Sequence, residues 1–569
     1  MLVKKIGAGK ESAIGAFKVA EAAVSCGASS RSLSRMTAAG AGGKAPGNLE
    51  RDICISSRSL AGVPWRLYPV EALGRKKGRG VEPVTFMVLL PHEFFAVLYK
   101  YDRKSFDDIF GLDHVQIEYW RRIRQLNEDW FLAHPRKGIL DSPGFDAAKL
   151  HPYRFFGDDT GLRKTRNVAV FHWTPLAGCR LDPKRSRIPA YVIPLHFCLP
   201  DVTLAGLHEV LRWSFAALLE GTFPMTDHRD VPWPSNSTRG KLAGRPLAEG
   251  RRAAFVGSVA DWKWSAEVYK PGQTWATAEL CMRCFASRDV GPCNFTAFAP
   301  CPARPNSTFV AKRTSALVDI PGWHILLVLP EVMHAGPLGH LASLSGSILT
   351  ELCREHCWPG AVGAGEWKDK MQVQLNFAFD EFCLWLKKEH RDCSLTGLTP
   401  AKLGLHTLAY SWPEFKTKAH DALEVLEWLA VRSRQESSGS DYHELRAAVA
   451  WATHNWFHIL RRGGDWIDNP STLAELDESA ALMFHGYNKL SETAAAAAKP
   501  LYKCLPKMHV LFEAHLDLMK TGRNPTSYWT FSDEGNMRVI GETACAVHGS
   551  TVSQRTLERW LNRYFCGAD

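Results

Sequence analysis

Acidic residues at three widely separated positions are the side chains with the most specific chemistry in this sequence. They are Asp158 or its neighbour Asp159, then Asp261, and finally Glu534. Cutting a phosphodiester requires an activated nucleophilic oxygen and a stabilised leaving oxygen, and two Mg²⁺ ions about 4 Å apart supply both. Mg²⁺ prefers hard carboxylate oxygens as ligands. The three positions therefore predict a nuclease site that binds Mg²⁺ or Mn²⁺, with Asp158, Asp261 and Glu534 as the metal ligands.

Cysteines form the second group with chemical potential. Cys281 and Cys284 make a CxxC pair, and Cys293, Cys301 and His334 follow it. Two thiolates at this spacing can hold one tetrahedral Zn²⁺, with two further ligands from among Cys293, Cys301 and His334. Free thiols in a loop are the alternative, because the chain has one CxxC rather than two. A thioredoxin-like redox role fits less well, since no βαβ pattern precedes the pair.

Apolar runs predict the elements that must position the three acids. Strands are expected near 154–156, 167–175, 189–197 and 252–260, and a helix at 205–220 with Gly221 as its C-cap. One acidic position follows the first strand, and Asp261 follows the fourth. Three strands, a helix and a fourth strand, in that order, predict an α/β fold with a ribonuclease-H-like mixed sheet. An acid at a strand end is also an ordinary turn residue, so the order of the elements carries this prediction.

The chain is expected to have five parts. Residues 1–50 are rich in Ala, Gly and Ser, which predicts a disordered leader, with a targeting peptide as the alternative. A basic, mainly helical region is predicted at 51–150, the first part of the core with the CxxC element at 151–340, and a helical insertion at 341–520. Residues 521–569 are predicted to return to the core with the late Glu534. The 15 cysteines are scattered through a long chain, which favours free thiols in a reducing compartment.

Positive charge suggests a polyanionic partner without naming one. The formal net charge is +10, and the first fifty residues contribute seven Lys or Arg against three Asp or Glu. Residues 75–140 are the best candidate for DNA contact, because Arg75 to Lys77 and Arg121, Arg122 and Arg124 lie there. A solvated charged helix face is the alternative. No apolar run reaches the roughly 20 residues that a membrane helix needs, so no membrane span is expected.

Several motifs, taken in order, resemble one family. They are Gly157-Asp158-Asp159, Ala260-Asp261, Cys281-x-x-Cys284, Glu331-x-x-His334, Lys507-Met508-His509 and Tyr528 to Glu534. This order resembles the DDE transposases of the CACTA (En/Spm)-like superfamily, and the stretches around Asp261, His334 and Glu534 are also similar to transposon-derived algal proteins. The resemblance covers about residues 150–565. It implies a nuclear enzyme that acts on transposon ends and target DNA, and it leaves self-association open.

Two departures from the family pattern keep a second function in view. Glu331 occupies a position where the family has Asp or Cys, and no clear zinc-finger DNA-binding domain precedes the core. A domesticated, catalytically inactive DNA-binding protein needs only the fold and a basic surface, whereas an active nuclease needs all three acids together. An unrelated helical scaffold would be favoured if the strands before Asp261 failed to pair.

Overall fold

The computed structural model describes most of the chain between residues 13 and 566. The described ranges are 13–29, 37–39, 66–76, 80–141, 146–163, 166–199, 201–312, 315–360, 366–406, 411–437 and 439–566. Of the predicted leader, residues 13–29 and 37–39 fall within these ranges, and Ala13–Ser25 form helix α1. The rest of the predicted leader lies outside the described residues.

The chain divides into two compact units. Unit 1 comprises residues 1–270, 306–328 and 531–569, and unit 2 comprises residues 271–305 and 329–530. Unit 2 is thus inserted into unit 1, and the late segment that carries Glu534 belongs to unit 1. The predicted boundaries of the insertion, 341 and 520, differ from those observed. The CxxC segment belongs to unit 2 rather than to the core, because Cys284 packs against His509 of the same unit.

Unit 1 is built on a mixed four-stranded sheet. Its strands are β3 (Leu150–Arg163), β4 (Arg166–Pro175), β5 (Ile188–Pro194) and β6 (Arg252–Val259), in the spatial order β5-β4-β3-β6. Strands β3, β4 and β5 form an antiparallel meander, and β6 pairs with β3 in parallel. The four predicted strands therefore form one sheet, which confirms that prediction.

Both faces of this sheet are covered, which explains the continuous apolar runs in its strands. Helix α5 (Thr203–Glu220) lies on one face, where Phe215 stacks on Tyr153 with ring centroids 4.8 Å apart. Gly221 ends this helix in the left-handed conformation (φ 72°), as its position predicts. On the other face Phe156 and Val170 pack against Met537 and Ile540, together with Leu557 and their neighbours.

The helices on this second face come from the end of the chain. They are α14 (Phe531–Cys545), which carries Met537 and Ile540, and α15 (Val552–Cys566), which carries Leu557. Because α14 packs on β3, the helix whose first turn carries Glu534 lies over the strand that carries Asp158. The chain order alone could not establish this neighbourhood.

One predicted strand boundary was wrong. The first strand was predicted at 154–156 with an acid directly after it, but β3 extends from Leu150 to Arg163. Its pairing with β4 persists through Asp158↔Val170 and Asp159↔Ala169, while its pairing with β6 stops at Phe156↔Val259. The acids therefore lie inside β3, just beyond the end of β6.

Gly157 allows the closest approach in this part of the sheet. A Cβ atom at this position would lie 2.2 Å from two atoms of the Trp264 indole ring. Trp264 belongs to helix α6 (Trp262–Tyr269), which begins directly after Asp261. The absent side chain of Gly157 thus lets α6 lie against β3 and keeps Asp261 near that strand.

Gly157→Ala is expected to destabilise unit 1 by about 2 to 3 kcal/mol, because the buried Trp264 ring must move to accept the methyl group. Gly161→Ala in the same strand is the control. A Cβ there meets nothing within 4 Å, so its effect should stay within about 0.5 kcal/mol. Urea unfolding of the two variants measures the difference. Equal stabilities would show that Trp264 does not depend on Gly157.

The amino-terminal part of unit 1 is less helical than predicted for residues 51–150. It opens with an antiparallel hairpin, β1 (Tyr68–Lys76) and β2 (Gly80–Val88). Helices α2 (Pro91–Tyr101), α3 (Arg103–Phe110) and α4 (Asp113–Leu126) follow. Burial alternates along β2 from Val84 to Val88, with Phe86 and Val88 buried and Thr85 and Met87 more exposed, which is the period of a strand.

The apolar run Ile325–Leu329 has the length of a strand but forms a different structure. Ile325–Leu327 make a 3-10 turn, in which the His324 ring caps the backbone amide of Leu326. Val328 makes a single parallel bridge to Ser258 of β6. A side chain that bonds a nearby backbone amide competes with strand pairing of that segment. The His324 cap therefore accounts for the single bridge between Val328 and Ser258.

Unit 2 is mainly helical, as predicted for the insertion. Its longer helices are α7 (Leu341–Arg354), α8 (Trp367–Lys388), α9 (Ala419–Gln435), α10 (Asp441–Arg462), α11 (Pro470–Ala481), α12 (Tyr487–Ala496) and α13 (Pro506–Thr521). Helix α13 matters most for function, because it faces the CxxC segment. Within the described part of the chain, no helix combines the length and the apolar character that crossing a bilayer requires.

Candidate metal centres

The first candidate centre is an acidic site at one edge of the unit 1 sheet. Phe156 pairs with Val259 at the end of the parallel ladder. Asp158 lies two residues beyond Phe156, and Asp261 lies two residues beyond Val259. Neighbouring strands are about 4.8 Å apart, so the register brings these two acids to the same level of the sheet.

Asp158 and Asp159 point to opposite faces of β3, because side chains alternate along a strand. Asp158 shares its face with Arg154 and Phe156, which contact α14 residues. Asp159 shares its face with Gly157, which packs against Trp264. The structure therefore distinguishes two residues that the sequence left as alternatives, and Asp158 is the one on the α14 side.

Glu534 reaches the site from the first turn of α14. The preceding residue, Asp533, is fully buried and accepts hydrogen bonds from Arg154 (3.0 Å) and Arg187 (3.3 Å). Glu534, Asp158 and Asp261 are each partly exposed. A ligand in solvent can therefore reach all three carboxylates, while the helix that carries Glu534 is anchored in the core.

Negative charge from two other acids reaches Asp158, although among the described residues the three carboxylates do not form a group of ligand atoms as close together as the one in unit 2. The pKa of Asp158 is raised to about 7. Burial is the largest cause, and the negative charges of Glu534 and Asp261 contribute to the same rise. Burial also raises the pKa of Asp159, which the nearby Lys263 ammonium partly offsets. Like charges that repel one another are the arrangement that a bound divalent cation relieves.

Asp261 combines this position with a structural role. One of its carboxylate oxygens accepts a hydrogen bond from the backbone amide of Trp264 (2.6 Å) and so caps α6. The cap fixes the carboxyl group at the end of β6. An Asn side chain caps a helix about as well as Asp, so exchange for Asn changes the charge and preserves the cap.

Removing the Asp158 charge is expected to stabilise the metal-free protein. An acid whose pKa is raised in the folded state loses stability as the pH rises from about 4 to about 7, because the folded form retains the proton longer. Asp158→Asn should therefore match the wild type near pH 4 and exceed its unfolding free energy by about 1 to 2 kcal/mol near pH 8. Urea unfolding in EDTA measures this. Excess Mg²⁺ should reverse the order at about pH 8, and a variant that is less stable without metal would contradict the account.

The second candidate centre lies in unit 2. Cys281, Cys284, His509 and Glu513 each offer one ligand atom, and these four atoms all lie within 4.8 Å of one another. The three residues Cys281, Cys284 and His509 are buried, and Glu513 is nearly so. This cluster could hold a metal ion.

Local structure positions both halves of this cluster. The backbone amide of Arg283 donates to the Cys281 sulfur (3.3 Å), which bends the CxxC segment around that thiol. His509 and Glu513 lie four residues apart on α13 and therefore on one face of the helix. The Cys284 sulfur lies 3.2 Å from His509 Nε2, which lies 3.4 Å from Glu513 Oε1.

Charge is shared across the cluster. A hydrogen bond from Cys284 lowers the pKa of the Cys281 thiol well below its usual range. Burial alone would lower the pKa of His509, but hydrogen bonds to Cys281 and Glu513 outweigh it and raise that pKa to about 10. Burial opposes ionisation of Glu513, but His509 and the Arg283 guanidinium hold its pKa at about 2. A metal ion would replace the proton that His509 holds between these anionic groups.

The predicted partners of the CxxC pair differ from those observed. His509 and Glu513 complete the cluster, and neither was among the expected ligands. Cys301 contacts the Cys284 thiol, and Cys293 contacts Cys301, but neither belongs to the set within 4.8 Å. The signal that could have pointed to this helix is the His-x-x-x-Glu spacing from His509 to Glu513, which begins at the last residue of the Lys507 to His509 motif.

His334 was predicted as a metal ligand, and the structure gives it another partner. Its Nδ1 lies 2.7 Å from Glu331 Oε2. Glu331 also accepts hydrogen bonds from the backbone amides of Met333 and His334 and from the Thr530 hydroxyl. The Glu331 side chain therefore caps the short helix Val332–Ala335. Glu has enough reach to cap the helix and bind His334 together, which leaves the pair as a structural contact.

Three arginines of α4 form ion pairs with two acids, which neutralises them in part. Arg121 and Arg122 both form ion pairs of 2.7 Å with Glu118, and Arg124 pairs with Asp141. The predicted DNA-contacting region thus presents paired charges on this helix, which agrees with the alternative of a solvated charged face. The DNA contact of residues 75–140 stays a prediction, and residues 77–79 lie outside the described residues.

Comparison with known proteins adds no assignment. A scan against protein-family models finds no match to this chain, and a search of curated proteins finds none either. What the structure defines is a mixed α/β unit with a cluster of acids at one sheet edge and an inserted helical unit with a buried Cys, His and Glu cluster.

Proposed function

We propose that this protein is a transposase-like DNA nuclease and strand transferase of the DDE type. The observation that carries the proposal is the convergence of Asp158 from β3, Asp261 from the end of β6 and Glu534 from the start of α14. Asp158 and Asp261 share one level of adjacent parallel strands, and Asp158 is close enough to Glu534 to feel its charge. A fold that assembles repelling carboxylates at a solvent-accessible edge is best explained by cation binding.

The architecture supports the same proposal. An antiparallel meander, a helix and a strand parallel to the first form the order of a ribonuclease-H-like core, and the structure has this order. The chain leaves unit 1 for unit 2 after α6, returns to unit 1 over residues 306–328, and returns again at α14. A late catalytic Glu behind a helical insertion is what the resemblance to CACTA-like transposases implies.

In this proposal the three carboxylates bind two Mg²⁺ or Mn²⁺ ions, which supply activation of the attacking oxygen and stabilisation of the leaving oxygen. Asp261 holds its carboxyl group still through the α6 cap. Asp158 contributes its charge from the rigid centre of a sheet. Glu534 completes the set from a helix whose start is buried and anchored.

The unit 2 cluster is proposed to bind Zn²⁺ in a structural role. Thiolate and imidazole donors favour Zn²⁺ over Mg²⁺, and four ligands can close a tetrahedral site. Cys281 and Cys284 would then be joined to His509 and Glu513, which fastens the CxxC segment to α13. DNA as the partner, a nuclear location and self-association are further parts of this proposal and come from the family resemblance.

A cleavage assay tests the proposed activity. The full-length protein is incubated with linear DNA that carries the terminal repeats flanking its gene, in Mg²⁺, Mn²⁺ or EDTA. Cleavage that requires either cation and stops in EDTA is expected. DNA binding without cleavage in both cations would favour the catalytically inactive DNA-binding protein instead, and neither binding nor cleavage would remove DNA as the partner.

A further inference from the structure

One buried carboxylate at the start of α14 accepts hydrogen bonds from two arginines of the sheet. Asp533 is fully buried, and it lies 3.0 Å from Arg154 Nη2 on β3 and 3.3 Å from Arg187 Nε, directly before β5. His172 on β4 places its Nε2 3.6 Å from the same carboxylate. These strands are adjacent in the sheet. The two arginines therefore fix the helix to the sheet at a single residue, while the His172 ring lies beside the carboxylate without a hydrogen bond.

Stability alone explains this arrangement poorly. Two guanidinium groups and a carboxylate lose their hydration when they are buried, and packed apolar side chains often give equal or greater stability. Charged groups in a buried position do give a defined geometry, because their hydrogen bonds are directional. Immediately beyond these residues the contact between sheet and helix is apolar, with Phe156 against Met537 and Ile540.

The geometry that the buried group defines is the rotation of α14. Successive helix residues differ in direction by about 100°, so fixing Asp533 also fixes the direction of Glu534. Arg154 and Asp158 lie on the same face of β3, four residues apart, because alternate side chains share a face. The strand that holds Asp533 therefore also carries the acid that Glu534 must meet.

We propose that Arg154, Arg187 and Asp533 are positioning residues that set the rotation of α14 and so aim Glu534 at the metal site. This inference rests on the proposed function, because it takes Glu534 as a metal ligand. The two guanidinium groups also exceed the one carboxylate in charge, so the centre adds a buried positive charge on the face of β3 that carries Asp158. Burial lowers the pKa of His172 to about 3, so this ring adds no positive charge to the centre.

Metal binding tests the inference without relying on cleavage. Binding of Mn²⁺ to the full-length protein is measured by calorimetry and by the electron paramagnetic resonance of free Mn²⁺. The variant is Asp533→Leu combined with Arg187→Gln, which removes the carboxylate that both guanidinium groups bind and keeps the buried net charge unchanged. We expect the second of two Mn²⁺ steps to weaken about 10- to 100-fold, as for other residues that orient a ligand. The first step, through Asp158 and Asp261, should stay near the wild-type value.

Glu542→Gln is the matched control, because Glu542 lies on the same helix with its side chain 69% exposed. It should bind both ions as the wild type does. A folded double variant with wild-type affinity in both steps would overturn the inference. If the double variant does not fold, Arg154→Lys decides, since Lys keeps the charge but cannot reproduce the guanidinium geometry. The same loss of the second step is expected there, and wild-type binding would overturn the inference.

Two further variants test the proposed function independently of the inference about the positioning residues. Glu534→Gln and Asp158→Asn remove carboxylates that are proposed to touch the metal, so both should weaken Mn²⁺ binding. If neither does, the acidic site is not a metal site and the proposed function is lost. If both do while the positioning variants bind normally, only the inference about Arg154, Arg187 and Asp533 is lost.

Discussion

Asp261→Asn is expected to abolish metal-dependent DNA cleavage and to leave the fold and the DNA affinity nearly unchanged. The substitution removes a ligand charge from the acidic site. It also preserves the cap on α6, since an Asn oxygen can accept the hydrogen bond that Trp264 donates to Asp261. The rate should fall on the order of 10⁴-fold, as when one member of a catalytic set is removed. Initial cleavage rates in Mg²⁺ and in Mn²⁺ measure the loss, and an electrophoretic shift measures DNA affinity.

Asp182→Asn is the matched control for this experiment. Asp182 also caps a helical turn, with its side chain accepting from the backbone amide of Lys184, and it is exposed. It should cleave as the wild type does. Full cleavage by Asp261→Asn would exclude the two-metal reading of the acidic site and leave DNA binding without catalysis as the better account.

Removal of zinc is expected to have the largest effect on stability. Cys281→Ser or His509→Ala should release the metal from unit 2 and lower its unfolding free energy by at least about 5 kcal/mol, because structural zinc binding contributes directly to folding. The CxxC segment would then lose its link to α13. Elemental analysis of the purified protein and thermal unfolding followed by circular dichroism measure the two effects.

Cys293→Ser is the control for the zinc experiment. Cys293 contacts Cys301 but stands outside the cluster of four. This variant should keep one zinc per chain and the thermal stability of the wild type. Purified wild-type protein without zinc, or with zinc that Cys281→Ser retains, would show that these side chains are not the ligands.

Much of the sheet in unit 1 could be predicted from the sequence. The runs Val168 to Phe171 and Ile188 to Ile193 are continuously apolar because both faces of the sheet are covered. Such runs are a strong indication of a buried strand, and their length gives the length of that strand. The helices of unit 2 were predicted for a similar reason, because their apolar residues recur at three- and four-residue intervals.

The details of both centres depend on contacts that no local pattern contains. Whether Asp158 or Asp159 faces α14 depends on how far β3 extends beyond β6, which the pairing register decides. His509 lies 225 residues from Cys284, and nothing near either residue identifies the other as a partner.

Buried arginines were the least predictable feature. Arg154 was part of a predicted strand, but a sequence pattern treats a guanidinium as a surface group, since charged residues are seldom fully buried. Its partner Asp533 is 379 residues away. The role proposed for this pair follows from tertiary structure alone.

Anomalous X-ray diffraction from crystals of the protein soaked in Mn²⁺ tests the central claim most directly. The account predicts two Mn²⁺ peaks about 4 Å apart, bound by Asp158, Asp261 and Glu534, and their loss in crystals of Asp158→Asn. Well-ordered carboxylates at this edge of the sheet without a Mn²⁺ peak at saturating concentration, or with peaks only elsewhere, would contradict it.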